Sequence, residues 1–296
     1  MKNKKVIVIN GFQRGGTNIV YNIFQSHPEV CSPNDLETGQ IITQNYRIPT
    51  HQKIGYLIKR LKLGFYSLLN TKFILNSFLS KIIGILIDEL FYIYKLKNYT
   101  NLYNRFKYQN VPYTLDEIKS SVLCLKSVNN DIFLSKFFSR IYDDIYFIGL
   151  VRNGYALCES WIRRGKNANI NGFRYKKFCQ MMIEDSKKIK NYKLIRFEDI
   201  LQNPFNEALK LYEFTHLKPV SLEKLRFKSK KVLTREGNHI VKFGRLDAKY
   251  WFDSNTIGEI IDQNINNIQI QKLSELDQKI FENEAKPVLK YFNYKE

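Results

Sequence analysis

Four consecutive β-branched apolar residues, Val6-Ile7-Val8-Ile9, stand between a lysine pair and a cluster of glycines, Gly11, Gly15 and Gly16. A run with no polar member must be buried on both faces. That is the pattern of an interior strand in a parallel sheet covered by helices on each side. Residues 17–26 follow with Ile19, Val20, Ile23 and Phe24 on one stripe, which predicts a helix. Pro28 biases His27 away from helical angles and closes the element. Strand, glycine loop and helix together make a phosphate cradle. Glycines let backbone N–H groups turn inward, and the helix N-terminus adds positive partial charge.

The loop is a broken nucleotide motif. Gly11 and Gly16 have the spacing of G-x-x-x-x-G-K-[ST], but Thr17 stands in the lysine position and Asn18 in that of the magnesium-binding hydroxyl. The cation sits inside the loop instead, at Arg14. Such a loop suits a phosphate-like anion and lacks the usual tools for a magnesium-bound nucleoside triphosphate. Gln13-Arg14-Gly15-Gly16-Thr17-Asn18 resembles the P-[RK]-S-G-T-T loop of sulfotransferases that use 3′-phosphoadenosine-5′-phosphosulfate (PAPS). Arg14, Gly16 and Thr17 match; Gln13, Gly15 and Asn18 depart from the pattern. His27-Pro28-Glu29-Val30 resembles the H-P-[DE]-[VI] of carbohydrate and tyrosylprotein sulfotransferases. The resemblance implies that Arg14, Gly15, Gly16, Thr17 and Asn18 grip the 5′-phosphosulfate end. It also implies a P-loop-NTPase-like, three-layer α/β fold with a central, mainly parallel sheet.

The rest of the chain reads in the same rhythm. Residues 121–126, 145–151 and 192–197 are expected strands, and 129–140, the stretch through Ala156, Leu157 and Trp161, 173–190 and 198–216 expected helices. Strands alternating with helices call for a parallel sheet with covered faces. All 296 residues read as one domain, 1–296, with a helical insert at about 54–110. The most apolar part of that insert, residues 73–94, is interrupted by Lys81, Asp88 and Glu89. A transmembrane helix needs about 20 nearly uncharged residues. An amphipathic insert is expected, with peripheral membrane contact left open.

Two further segments resemble sulfotransferase motifs. Arg152-Asn153-Gly154 through Ser160 matches R-[DN]-P-x-x-x-x-x-S, with Gly154 in place of proline and the family's spacing from arginine to serine. The resemblance implies that Arg152 and Ser160 hold the 3′-phosphate of PAPS. A strand-end guanidinium and a hydroxyl about two helical turns later can reach one phosphate. Phe197-Glu198-Asp199-Ile200-Leu201 through Pro204 resembles Y-E-D-L-x-x-x-P, which implies that the Phe197 ring lies against the adenine. Glu198 and Asp199 read as caps of the following helix. Arg235 and Gly237 match a late R-K-G loop over the 3′-phosphate, where Glu236 reverses the middle charge.

For chemistry, Arg14 can neutralise charge on the leaving phosphate. By resemblance, Lys126 approaches the transferred group from a strand end. Glu37 takes the place of the glutamate base that follows H-P-[DE]-[VI], with Asp35 a close competitor. His27 reads as a helix-end residue, and His51, His216 and His239 sit in no motif.

Composition sets the rival readings. A net charge of +19, from 47 basic and 28 acidic residues, attracts polyanions in general, although the lysines are scattered rather than blocked. Cys31, Cys124, Cys158 and Cys179 lie far apart with no C-x-x-C, so reduced, partly buried thiols, a cytoplasmic location and no bound metal are expected. The leading reading is a sulfotransferase acting on a small-molecule or carbohydrate acceptor through a hydroxyl or amine, with no specific nucleic-acid partner. Against it stand a P-loop nucleotide kinase or phosphotransferase, a non-catalytic polyanion-binding protein, and a sulfotransferase-like fold that has lost activity.

Overall fold

The computed structural model describes residues 1–33, 36–43, 64, 68–69, 71, 78–100, 104–229, 231–233, 239–241, 245 and 248–295. The first half comprises β1 (Lys5–Gly11), α1 (Thr17–Ser26), β2 (Val30–Cys31), α2 (Thr38–Thr43), α3 (Phe78–Asn98), α4 (Leu115–Ser120) and β3 (Val122–Val128). Next come α5 (Ser135–Ile141), β4 (Asp144–Val151), α6 (Gly154–Ile162), α7 (Ala168–Lys188), β5 (Tyr192–Arg196), α8 (Phe197–Gln202) and α9 (Pro204–Phe214). Short strands β6 (Leu225–Lys228), β7 (Lys231–Leu233), β8 (His239–Val241) and β9 (Lys249–Phe252) precede α10 (Ile265–Ile270) and α11 (Glu275–Tyr291).

Five strands form one sheet in the order β2-β3-β1-β4-β5, parallel throughout. The unbroken apolar run of β1 occupies the centre, as burial on both faces demands. Its alternating side chains serve two cores. Val6 and Val8 pack with Phe137 of α5, Leu157 of α6, Tyr175 of α7 and Phe281 of α11. Ile7 and Ile9 pack with Val20 and Phe24 of α1, Leu211 of α9 and Phe227 of β6. Helices therefore cover each face, giving the expected α/β layering. Because β1, β3 and β4 are parallel, the loop after β1, Lys126 near the end of β3 and Arg152 just past β4 all come to one edge.

Several expected elements shift. The helix expected over 129–140 starts as a 3₁₀ turn, Asn129–Leu134, and turns α-helical only at Ser135. The single helix expected over 198–216 is two, because Pro204 lacks an N–H and disfavours helical angles at Asn203, which sits at φ −138°. In the insert, α3 buries Gly84, Ile87, Asp88 and Phe91. Asp88, read as an interruption, accepts hydrogen bonds from Asn3 Nδ2 at 2.8 Å and the Tyr142 hydroxyl at 2.9 Å. Most of 54–77, and 101–103, lie outside the described residues. No helix among the described residues is long and apolar enough to cross a membrane. Helices α10 and α11 have no counterpart in the sequence reading. Ser274 caps α11 by accepting from Asp277 N, and Phe281 and Ala285 then bury against α7, where Gly172 leaves room for the Phe281 carbonyl.

Candidate functional site

The loop is built from its anchors outward. Gly11 leaves space that Thr17 Cγ2 fills, since a Cβ at Gly11 would stand 2.7 Å from it. Phe12 is buried and stacks on Tyr175, with centroids 5.2 Å apart. Trp161 Nε1 donates to Gln13 O at 3.1 Å, and Gln13 N donates to Asn129 Oδ1 at 3.2 Å. Between these anchors the backbone turns through Arg14 at φ 73° and Gly16 at φ 92°. Left-handed angles are ordinary for glycine and strained for arginine, so Arg14 is held there by its surroundings. At Gly16 glycine is required twice over: a Cβ would also lie 2.3 Å from the Phe197 ring. Thr17 then opens α1; Ile19 N donates back to Gly16 O at 2.8 Å, and the N–H groups of Thr17 and Asn18 have no helical acceptor.

Arg152 is held at all three guanidinium nitrogens. It is 5% exposed, yet its guanidinium donates from Nη1 to Arg14 O at 2.7 Å, from Nε to Asn266 Oδ1 at 2.8 Å, and from Nη2 to Gln269 Oε1. The Phe197 ring lies 4.9 Å from the guanidinium carbon. Burial lowers its pKa to about 10, with Glu198 opposing that shift and Arg14 adding to it, so it stays charged at neutral pH. Glu198 accepts from Asn153 N at 2.9 Å, from Asn266 Nδ2, and from the Tyr294 hydroxyl at 2.5 Å. The capping role read for Glu198 is thus corrected: its hydrogen bonds all go to other elements, and α8 has no side-chain cap. It sits in the first turn of α8, but its carboxylate joins the start of α6 to the C-terminal segment. Asp199 instead pairs with Arg196 at 2.8 Å. Ser160, on α6, is 1% exposed and its Oγ has no hydrogen-bond partner. A buried hydroxyl in that state calls for an explanation.

Arg14 is exposed, though enough protein crowds its guanidinium to lower its pKa, and repulsion from Arg164 and Arg163 adds to the shift. Lys126, 6% exposed, donates from Nζ to Asn18 Oδ1 at 2.7 Å and lies 5.4 Å from the Tyr21 ring centroid. The departure from the sulfotransferase loop at Asn18 therefore gives the strand-end lysine an acceptor. Glu37 is half-buried immediately before α2. Thr38 Oγ1 hydrogen-bonds Ser127 Oγ at 2.9 Å, and Gly39 N donates to Asp131 Oδ2 at 2.8 Å, tying α2 to the end of β3. The residue after Lys126 thus holds the residue after Glu37. Asp35 and Arg235 lie outside the described residues.

His27 is structural, as its helix-end place implies. Nδ1 accepts from Glu29 N at 3.2 Å, so Nε2 carries the proton and donates to Lys218 O at 3.0 Å; burial lowers the pKa. All four cysteines are buried, and burial raises their pKa values, so none is an activated nucleophile. Among the described residues, no group of three or more His, Cys, Asp or Glu could hold a metal ion.

The site thus joins Arg14, Gly16, Arg152 and Phe197 through direct contacts, with Ser160 two turns along α6 and Lys126 bound to Asn18. Asn266, Gln269 and Tyr294 were missed. They belong to no motif, and the only available clue was that Asn266 and Gln269 share a helix face at i, i+3.

No family model matches the chain, and no curated protein matches it in sequence. Solved structures resemble it. The sulfotransferase domain from the curacin biosynthetic pathway has 17% identity and a TM-score of 0.49, covering 93% of this chain and 95% of that one. The sulfotransferase domain of the Synechococcus PCC 7002 olefin synthase has 14% identity and a TM-score of 0.44, covering 74% and 76%. A sulfotransferase from Alicyclobacillus acidocaldarius has 10% identity and a TM-score of 0.40, covering 73% and 82%. At these values the function has to be argued from the chain's own residues.

Proposed function

We propose that this protein is a sulfotransferase that takes the sulfuryl group of PAPS to a hydroxyl or amine acceptor. The observation that carries the reading is the union of two anion-binding elements: the Arg152 guanidinium binds the backbone of the glycine loop at Arg14 O, 2.7 Å away. A ligand with phosphate groups at two separate positions suits that pairing; a nucleoside triphosphate has no need of it. The buried, partnerless Ser160 Oγ favours the same reading, since a phosphate oxygen could accept its proton. Residues of the loop, Arg14 to Asn18, would hold the 5′ end, Arg152 and Ser160 the 3′-phosphate, and Phe197 the adenine.

PAPS supplies an activated sulfuryl group, so the protein's task is positioning and charge neutralisation. Arg14, exposed and free of a carboxylate partner among the described residues, neutralises charge developing on the leaving phosphate. Lys126 adds positive charge beside Asn18. Glu37 is the assigned base, taking the acceptor's proton. A saccharide acceptor and a cytoplasmic setting belong to the same proposal.

The deciding experiment is ligand-induced thermal stabilisation. The product 3′,5′-ADP at millimolar concentration should raise the melting temperature, and ATP with magnesium should do so much less. The reverse order would favour a phosphotransferase; no response to either would leave only charge-driven polyanion binding. With a working acceptor assay, Glu37→Gln should lose most of kcat at saturating PAPS, and a full rate would move the base role elsewhere.

A further inference from the structure

The α10 amides do more than cover Arg152. A guanidinium has five N–H donors in a rigid plane. Asn266 Oδ1 takes the one on Nε, Gln269 Oε1 takes one on Nη2, and Arg14 O takes one on Nη1. What remains is one N–H on each terminal nitrogen, donors left for an anion. The orientation of the Asn266 amide is itself dictated. Its Nδ2 faces the Glu198 carboxylate, which can only accept, so its Oδ1 must face Arg152. Tyr294 and Asn153 N fix that carboxylate in turn.

We propose that Asn266 and Gln269 are positioning residues for the 3′-phosphate, holding the Arg152 guanidinium so that its two free N–H groups meet that phosphate. Glu198 is the group that sets the Asn266 amide. This rests on the sulfotransferase reading and adds a C-terminal determinant of cofactor selectivity to it. The role differs from mere stability because it acts on one phosphate of the ligand and leaves the glycine loop's grip on the other.

The test compares binding of 3′,5′-ADP and 5′-AMP by calorimetry to the full chain and to Asn266→Ala, Gln269→Ala and Gln269→Met. The expected result is a loss of about tenfold in 3′,5′-ADP affinity for each alanine variant, about 1.4 kcal/mol, with 5′-AMP affinity nearly unchanged. Gln269→Met keeps the bulk but removes the acceptor on Nη2, so it should show the same selective loss, and it carries the test if an alanine variant fails to fold. Unchanged 3′,5′-ADP affinity in folded variants, or equal losses for both ligands, would overturn the proposal while the sulfotransferase reading stands. A wild-type protein that binds 3′,5′-ADP no better than 5′-AMP would overturn both.

Discussion

Arg14 and Arg152 bring positive charge to the same edge of the sheet by opposite means. Arg14 rides a left-handed loop position, exposed, repelled by Arg163 and Arg164. Arg152 is buried, hydrogen-bonded along three sides and faced by an aromatic ring. A charge clamped before the ligand arrives loses little entropy on binding and fixes where the ligand lies. An exposed, unclamped charge can follow a group whose charge changes during reaction. Under the proposed function, the difference casts Arg152 as the arginine that holds and Arg14 as the one that helps to react.

Breaking the clamped member should have the largest effect. Arg152→Ala strands three acceptors, Asn266 Oδ1, Gln269 Oε1 and Arg14 O, and should lower unfolding free energy by about 2–4 kcal/mol. It should also abolish stabilisation by 3′,5′-ADP, and chemical denaturation with and without that ligand measures both. Retained stability would mean the network is decorative. Arg14→Ala comes second and should separate the two roles: kcat down by about 10²-fold, with thermal stability close to wild type. Equal damage to PAPS binding and to kcat would make Arg14 a second holding residue. The smallest and sharpest contrast is in salt. Because exposed charges are screened over about 10 Å at 0.1 M ionic strength, the deficit of Arg14→Ala should shrink as salt rises. That of Arg152→Ala should not, and parallel salt curves would erase the distinction.

The legible part of the site was the part written in consecutive residues. From Val6 to Ser26 the strand, turn and helix follow from local rules, and Thr17–Ser26 is the helix that its stripe predicts. Arg152 and Ser160 were legible for the same reason, since a strand end and the helix after it fix their separation. Glu198 was half legible. A carboxylate in a first helical turn can cap its own helix or reach a neighbour, and here the Asn153 N–H and the Asn266 amide won. Asn266 and Gln269 were not legible at all. Their contacts with Arg152 span 114 and 117 residues, and no spacing rule says which amide an arginine will find.

The central position of β1 has a consequence for how the protein is made. Val6 pairs on one side with Leu123 and on the other with Ile145, so β1 waits for two partners that come far later in the chain. Both edges of this apolar strand stay open until β3 is made, and one stays open until β4 is complete at Val151. Sheets closed by such distant pairings form slowly and expose sticky edges meanwhile. The arrangement that sets a loop, a lysine and an arginine side by side therefore also predicts a chain whose yield in a cell rises with chaperone protection during synthesis.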